Sequence, residues 1–195
     1  MPTVLLASVF AAVVFMLPTS VTAQESSQWQ AYKELQKQVA NGNPAPNFSY
    51  PDSHGNTQSL SSLKGQVVYI DLWATWCGPC VAETPYFETL KKEYAEKDVA
   101  FVSISMDSDS AKWARWVHDK NMTGYQLLAG GKHAKPVFYY TLVDGRTFDP
   151  PVDGFGTHIP VFVLIDKDGT IVDNHALRPS EEGIRQQLDA LLKDE

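Results

Sequence analysis

The chain has 195 residues, 44% of them hydrophobic, and a formal net charge of −7. This acidic balance argues against a nucleic-acid-binding protein, because such proteins present a basic face to phosphates. The length suits one domain with a substantial core. With two cysteines in the whole sequence, the chain also differs from small secreted scaffolds, which rely on many disulfides.

Residues 1–23 have the pattern of a secretory signal peptide. The mostly apolar run from Val4 to Leu17 is shorter than the roughly 20 residues that cross a bilayer. Residues 21–23 (Val-Thr-Ala) are small enough to precede a cleavage site. We therefore expect cleavage after Ala23 and a periplasmic protein. No Lys or Arg precedes the apolar run, so an uncleaved membrane anchor facing the periplasm is the alternative.

Beyond this segment, the predicted helices and strands alternate. Apolar residues at helical spacing predict an amphipathic helix over 26–40, and a Gly- and Asn-containing step at 53–56 predicts a small hairpin. Runs of β-branched and aromatic residues predict buried strands, and segments with periodic apolar residues predict the helices between them. In chain order these are strand 66–74, helix 79–95, strand 99–106, helix 110–120, strand 124–130, two strands within 160–172 that are joined by a turn at 167–169, and a helix over 180–192 capped by Ser180.

Strands that alternate with helices and end in a hairpin indicate an α/β layered domain. We assign it to residues 46–195, after a helical extension over 24–45. The segment 129–159 is rich in Gly, Pro and aromatic residues and has no long periodic pattern. A short hairpin turning at Asp144-Gly145, between "FYYTL" and "RTF", is expected there. A loop of this length is either functional or a surface excursion without a role.

The two cysteines, Cys77 and Cys80, are separated by two residues. Three kinds of site have this spacing: half of a metal site, a structural crosslink or a redox couple. A zinc site needs four ligands, whereas the histidines are scattered, with no pair separated by three to five residues. A haem-attachment site needs a histidine directly after the second cysteine, and this chain has Val81 there. We therefore expect no metal and no bound cofactor. The histidines are His54, His118, His133, His158 and His175.

A redox couple agrees best with the position of the pair between a buried strand and a helix. Cys77 would lie at the helix amino terminus, where free N–H groups and the helix dipole favour an anion. Lowering a thiol pKa from about 8.5 to about 7 raises the thiolate fraction at pH 7 from roughly 3% to about half. Cys77 is therefore the expected nucleophile, and Cys80, one turn deeper, the resolving thiol.

Two carboxylates are candidates to take the proton of the resolving thiol. Asp71 lies inside the apolar strand between Ile70 and Leu72, where burial should raise its pKa. Glu83 follows Cys80 by three residues, so helical spacing places it on the same face. The alternative for Glu83 is an ordinary exposed glutamate.

The segment "VVYIDLWATWCGPC" resembles the active-site strand and motif of the thioredoxin superfamily. "WATWCGPCVAETP" is most similar to the TlpA/ResA-like branch of exported thiol-disulfide oxidoreductases, and the likeness extends from about Pro46 to the end of the chain. It implies a thioredoxin-like α/β fold, a central mixed sheet flanked by helices, here with an N-terminal extension and an enlarged loop before the cis-proline strand. Asp71 and Glu83 match acidic positions of that family.

The same resemblance implies the substrate-binding residues. "GTHIPVFVLIDKDGTIV" is similar to the segment with the family's cis-proline, which would make Pro160 that residue and let Ile159 present backbone to a substrate chain. Trp76, Gly78 and Pro79 would complete the contact surface. His158 would lie near the sulfurs, where it either tunes Cys77 or, as we favour, faces solvent.

The expected function is that of an exported enzyme, a monomeric thiol-disulfide oxidoreductase that acts on protein thiols and disulfides. Gly78-Pro79 between the cysteines matches the reducing type, near roughly −270 mV rather than about −120 mV, so we expect a disulfide reductase recharged by a membrane electron donor. One alternative is a binding or assembly module whose disulfide is static. Another is a thiol peroxidase, but Ala74 stands where those enzymes need threonine.

Overall fold

Helices and strands alternate along most of the chain in the computed structural model, which describes residues 19–130, 135–144 and 155–193. The helices are α1 (Thr19–Gln38), α2 (Gly78–Glu93), α3 (Ser110–Asp119) and α4 (Gly183–Lys193). The strands are β1 (Ser49–Pro51), β2 (Thr57–Ser59), β3 (Val67–Trp73), β4 (Val99–Ser105), β5 (Tyr125–Leu128), β6 (Leu142–Asp144), β7 (Phe155–Thr157), β8 (Val161–Ile165) and β9 (Ile171–Asp173).

The central sheet is mixed, with the strand order β5-β4-β3-β8-β9. Strands β3, β4 and β5 are parallel, whereas β8 runs antiparallel to β3 and β9 antiparallel to β8. The carboxyl ends of β3 and β4 therefore meet at one edge of the sheet, and α2 begins at this edge. This is the predicted architecture, and the hairpin predicted at 53–56 is also confirmed as β1 paired with β2.

Strand β3 is the middle strand of the five. All seven of its residues are buried because helices or loops cover both faces of the sheet. On one face, Ile70 and Leu72 belong to a large apolar cluster. On the other, Tyr69 packs between Phe87 of α2 and Phe162 of β8, at ring distances of 5.5 and 5.8 Å. The second face, which α2 covers, also contains Asp71.

The segment before the cis-proline strand is structured differently from the expected hairpin. "FYYTL" is mostly a 3₁₀ turn, Val137–Thr141, in which Tyr139 and Tyr140 are both buried. Successive side chains of a strand point to opposite faces of the sheet. In a strand that is covered on one face only, two consecutive tyrosines could therefore not both be buried. Strand β6 pairs with β7. The second half of the predicted hairpin, "RTF", lies outside the described residues, as do 131–134 and the rest of 145–154.

The amino-terminal helix α1 begins earlier than the expected residue 26, and it packs against the turn before β6. The side-chain amide of Gln36 donates to the carbonyl oxygens of Tyr139 and Leu142, both at 3.1 Å. The apolar core of the expected signal peptide lies outside the described residues. Within the described part of the chain, no helix is both long enough and apolar enough to cross a membrane.

Candidate active site

The two cysteines form a disulfide at the amino terminus of α2. Cys77 is the N-cap residue of this helix, and its Sγ accepts a hydrogen bond from the backbone N–H of Cys80 at 3.2 Å. Gly78 and Pro79 form the start of the helix, where proline is tolerated because the first N–H groups have no partner within the helix. The sulfur of Cys77 thus lies at the positive end of the α2 dipole.

A groove of about 380 Å³ opens beside Cys77. Trp76 is 63% exposed at its rim, so this indole is available for contact with another molecule. The Ile159–Pro160 peptide bond is cis, as predicted, and the Ile159 carbonyl oxygen lies 3.7 Å from Cys77 Sγ. Cys80 is 1% exposed and does not line the groove. The groove is lined by Trp76, Cys77, Gly78, Pro79, Met106, Phe138, Thr141, Thr157, His158 and Ile159.

The loop that leads from β3 to Cys77 is anchored by Asp107, which follows β4. The Asp107 carboxylate accepts hydrogen bonds from the Thr75 backbone N–H (2.9 Å), the Thr75 hydroxyl (2.8 Å) and the Ser105 hydroxyl (2.7 Å). All three residues are buried. Asp107 was not among the residues predicted from the sequence, although an acidic residue directly after a buried strand is a signal that could have indicated this anchor.

Replacing Asp107 with asparagine is expected to lower the free energy of unfolding by about 2–3 kcal/mol, because a charged acceptor of three buried hydrogen bonds is lost. The loop before Cys77 should also become less ordered, and the alkylation rate of Cys77 in the reduced protein should change. Urea denaturation of the oxidised protein measures the first effect. Asp119 is exposed beside His118, and Asp119→Asn should stay within about 0.5 kcal/mol of wild type. Equal stabilities for the two variants would contradict the anchoring role.

Asp71 is 4% exposed on the face of β3 that α2 covers. Burial raises the pKa of Asp71 to about 8, the charge of Lys91 opposes this shift and the charge of Glu83 adds to it. Among the described residues, Asp71 Oδ1 has no hydrogen-bond partner. An acid whose pKa lies near that of a thiol can exchange a proton with it at little free-energy difference.

Glu83 is buried rather than exposed, so the alternative of a surface glutamate is wrong. Its carboxylate accepts hydrogen bonds from the Ser180 backbone N–H (3.1 Å) and hydroxyl (2.9 Å), and Arg178 Nη1 lies 3.8 Å away. Ser180 was expected to cap the last helix. Helix α4 instead begins at Gly183, and the Ser180 hydroxyl donates to Glu83. Glu83 therefore accepts two hydrogen bonds from Ser180, whereas Oδ1 of the other candidate carboxylate, Asp71, accepts none within the described residues.

His158 lines the groove beside Cys77 and is half-buried there. Its ring stacks on His175, with centroids 5.7 Å apart and planes at 11°. Burial lowers the pKa of both imidazoles, and the neighbouring charge of His175 lowers the pKa of His158 further. The stacking partner is far away in sequence and could not be predicted from it.

These histidines are expected to contribute a loss of stability on acidification below about pH 6.5, opposite in sign to the contribution of Asp71. Their pKa values in the folded state are lowered from the ordinary value of about 6.5, so the unfolded state binds protons first and this part of the stability is lost as the pH falls. His175→Gln should change the slope of the urea midpoint against pH between about pH 5 and pH 7, with the variant gaining stability relative to wild type as the pH falls. His118→Gln, at an exposed site, should retain the wild-type slope. Identical slopes for wild type and His175→Gln would contradict this prediction.

The fold brings together most residues that the sequence indicated. Cys77, Trp76, Gly78, Pro79 and Ile159 line one groove, and Pro160 follows directly at the start of β8. Cys80, Asp71 and Glu83 are buried and do not line this groove. Within the described part of the chain, which excludes His133, no group of three or more potential ligands could hold a metal ion.

Comparison with known proteins identifies the family. The model of the Redoxin family matches residues 40–192. The chain belongs to the Redoxin family. The thioredoxin-like protein YneN of Bacillus subtilis is 31% identical over 163 residues, which covers 83% of this chain and 86% of the relative. The thiol-disulfide oxidoreductase ResA of Bacillus anthracis is 30% identical over 166 residues, covering 85% of this chain and 84% of ResA.

Solved structures agree with this Redoxin assignment. A Bacteroides vulgatus protein described as a thiol-disulfide oxidoreductase is 36% identical, with a TM-score of 0.65 over 80% of this chain and 99% of that one. A Chlorobium tepidum protein described as the thiol:disulfide interchange protein DsbE is 26% identical, with a TM-score of 0.65 over 79% and 99% of the two chains. The predicted resemblance, fold and enzyme class are confirmed: this Redoxin-family chain is a thioredoxin-like thiol-disulfide oxidoreductase.

Proposed function

We propose that this Redoxin-family enzyme is an exported reductase of protein disulfides, in which Cys77 attacks the substrate and Cys80 resolves the intermediate. The observation that carries this proposal is the difference between the two sulfurs. Cys77 caps α2, is 6% exposed and lines the groove, whereas Cys80 is 1% exposed and does not line it. A couple that exchanges with large protein substrates needs one accessible sulfur and one protected sulfur.

In the first step, the Cys77 thiolate of the reduced enzyme attacks one sulfur of the substrate disulfide. A mixed disulfide with Cys77 forms, the substrate S–S bond breaks, and the leaving substrate thiolate takes a proton from solvent. The N–H of Cys80, which contacts Cys77 Sγ at 3.2 Å in the oxidised enzyme, and the dipole of α2 stabilise the attacking thiolate.

In the second step, Cys80 loses its proton to the Asp71 carboxylate and attacks Cys77 Sγ. The enzyme disulfide forms and the second substrate sulfur leaves as a thiolate, which takes a proton from solvent, so two electrons have passed from the cysteine pair to the substrate. A pKa of about 8 suits Asp71 to this exchange with a thiol of pKa about 8.5. Glu83, held in position by Ser180 and Arg178, adds to the rise in the pKa of Asp71.

The substrate is proposed to lie in the groove as an extended segment of a protein. Trp76, Gly78 and Pro79 form one wall, and the backbone of Ile159 before Pro160 forms the other. An extended chain that bonds to the Ile159 backbone would bring its own sulfur to Cys77, since the Ile159 carbonyl oxygen is 3.7 Å from Sγ.

Location, domain organisation and electron supply complete the proposal. The amino-terminal sequence supports a signal peptide over 1–23, followed by the helical extension over 24–45 and the thioredoxin-like domain over 46–195. A reductase in an oxidising compartment needs a continual supply of electrons. We propose a membrane donor of electrons and a monomeric enzyme.

The reduction potential of the Cys77–Cys80 couple tests the direction of electron transfer. Equilibration of the purified protein with dithiothreitol or glutathione buffers should give a value near about −270 mV. A value near about −120 mV would overturn the assignment as a reductase and indicate disulfide formation instead. A disulfide that mild dithiols do not reduce would support the alternative of a static bridge in a binding module.

A further inference from the structure

A row of buried polar side chains crosses the central sheet from Asp71 to its edge. Asp71 of β3 pairs in register with Ser103 of β4, and Ser103 pairs in register with Gln126 of β5. Neighbouring residues of parallel strands project to the same face. The ring contact two residues earlier, between Tyr69 and Phe101 at 6.1 Å, identifies this face as the one covered by α2.

Each member of the row has an oxygen without a protein partner among the described residues. These atoms are Asp71 Oδ1, Ser103 Oγ and Gln126 Oε1, and the three residues are 4%, 0% and 4% exposed. More than about nine in ten buried polar groups in proteins are hydrogen-bonded. Three consecutive exceptions in one row indicate shared partners, and buried water, which typically makes about three hydrogen bonds, fits such a position.

The far end of the row reaches the surface. The Gln126 side-chain amide donates to the Thr123 carbonyl oxygen at 2.7 Å, and Lys91 of α2 donates to the same oxygen at 2.6 Å. Thr123 is exposed, and Gln126 lines an open cavity of about 300 Å³ together with Met122. This cavity shares no lining residue with the groove beside Cys77.

We propose that Ser103 and Gln126 form a proton path, through bound water, between Asp71 and the solvent on the side away from the substrate groove. The path rests on the function proposed above, in which Asp71 receives the proton of Cys80. A bound substrate covers the groove at that moment, so the proton on Asp71 needs another exit. For each cycle, one proton leaves Asp71 along the row, and one proton from solvent reaches each of the two substrate thiolates, the first released in the attack by Cys77 and the second in the resolving step.

Two charged side chains of α2 act on the proton affinity of Asp71, at the inner end of the path. Lys91 and Glu83 are the charged groups that act on Asp71 from this helix. The Lys91 ammonium group is held by Glu88 at 2.7 Å and by the Thr123 carbonyl oxygen at the outer end of the row. A fixed positive charge there favours an ionised Asp71 once its proton has left.

The test compares Ser103→Ala and Gln126→Met with wild type in the complete oxidoreductase. Rapid mixing with a disulfide-bonded peptide measures formation of the mixed disulfide and its resolution separately, in H₂O and D₂O and across a pH series. Each variant should slow resolution by about tenfold, less than the 10²–10⁴ of a complete acid–base group. Each should raise the solvent isotope effect on resolution and leave the first step unchanged. Ser103→Thr, which keeps the hydroxyl group, should restore the rate.

Tyr94→Phe is the matched control. It removes a hydroxyl group on the same sheet face. This hydroxyl group donates to the Arg185 carbonyl oxygen and to Asp189, both in α4, and not to a member of the row. Resolution in Ser103→Ala and Gln126→Met at the rate and isotope effect of Tyr94→Phe would overturn the path. Asp71→Asn separates the two proposals: slow resolution in Asp71→Asn with normal Ser103 and Gln126 variants refutes the path alone, whereas normal resolution in Asp71→Asn refutes both.

Discussion

Replacing Cys80 with serine is expected to stop the reaction after the first exchange and to leave the substrate covalently attached to Cys77. The sulfur of Cys77 lines the groove and can still attack, but no second thiol remains to break the mixed disulfide. Turnover of a disulfide substrate should fall below detection. Non-reducing electrophoresis and intact-mass measurement should show one substrate chain per enzyme, which dithiothreitol releases.

Cys77→Ser is the matched control, because it removes the other sulfur of the same pair. It should give neither turnover nor adduct, since Cys80 is 1% exposed and does not line the groove. An adduct of comparable yield on Cys80 would show that the enclosed sulfur is accessible and would reverse the assigned roles.

Replacing Asp71 with asparagine is expected to slow resolution of the mixed disulfide by about 10²-fold at neutral pH, the lower part of the range for acid–base catalysis. The first attack by Cys77 should be almost unaffected, because Asp71 lies in the interior of the sheet and not in the groove. Stopped-flow measurement of the two steps distinguishes this result from a general loss of structure, which would slow both.

The same variant should be more stable than wild type at neutral and alkaline pH. The pKa of Asp71 rises from 3.8 to about 8 on folding, so between these values the unfolded state releases a proton that the folded state retains. Stability is therefore lost as the pH rises through this window. Asparagine does not titrate, and at 1.36 kcal/mol per pKa unit its gain at pH 7 reaches at most about 4 kcal/mol.

Urea denaturation as a function of pH measures this gain. The curves of wild type and Asp71→Asn should converge at acid pH, where Asp71 is protonated in both states, and separate progressively toward pH 8. Asp166→Asn, in the turn between β8 and β9 where Asp166 accepts backbone hydrogen bonds, should not reproduce that separation. A constant offset between wild type and Asp71→Asn at all pH values would contradict a raised pKa.

The central strands and the placement of the cysteine pair were predictable because their signals are local. Six apolar or aromatic residues and one acid, Asp71, in a run of seven indicate a buried strand. The dipeptide Gly78-Pro79 after Cys77 indicates a helix start, and the structure has α2 beginning there. Local composition failed in "FYYTL", because consecutive buried tyrosines depend on what covers each face.

The partners of the buried groups were decided by tertiary structure alone. Ser180 lies 97 residues from Glu83, and no local pattern distinguishes a serine that caps a helix from one that binds a distant carboxylate. Two further contacts likewise depend on which loops meet in the folded chain. These are the stacking of His158 on His175 and the hydrogen bond that the Thr75 N–H donates to Asp107.

By itself, the sequence indicated a redox pair at Cys77 and Cys80 and the alternation of strands and helices, since spacing and hydrophobic periodicity are properties of the chain, and the resemblance of "WATWCGPCVAETP" to thioredoxin-like proteins indicated the enzyme class. Only the tertiary structure decided which sulfur faces the groove, which carboxylate receives hydrogen bonds and which oxygens across β3, β4 and β5 have none. The physical reason is that burial and hydrogen bonding are relations between segments distant in sequence, and these relations set the proton affinity of groups such as Asp71.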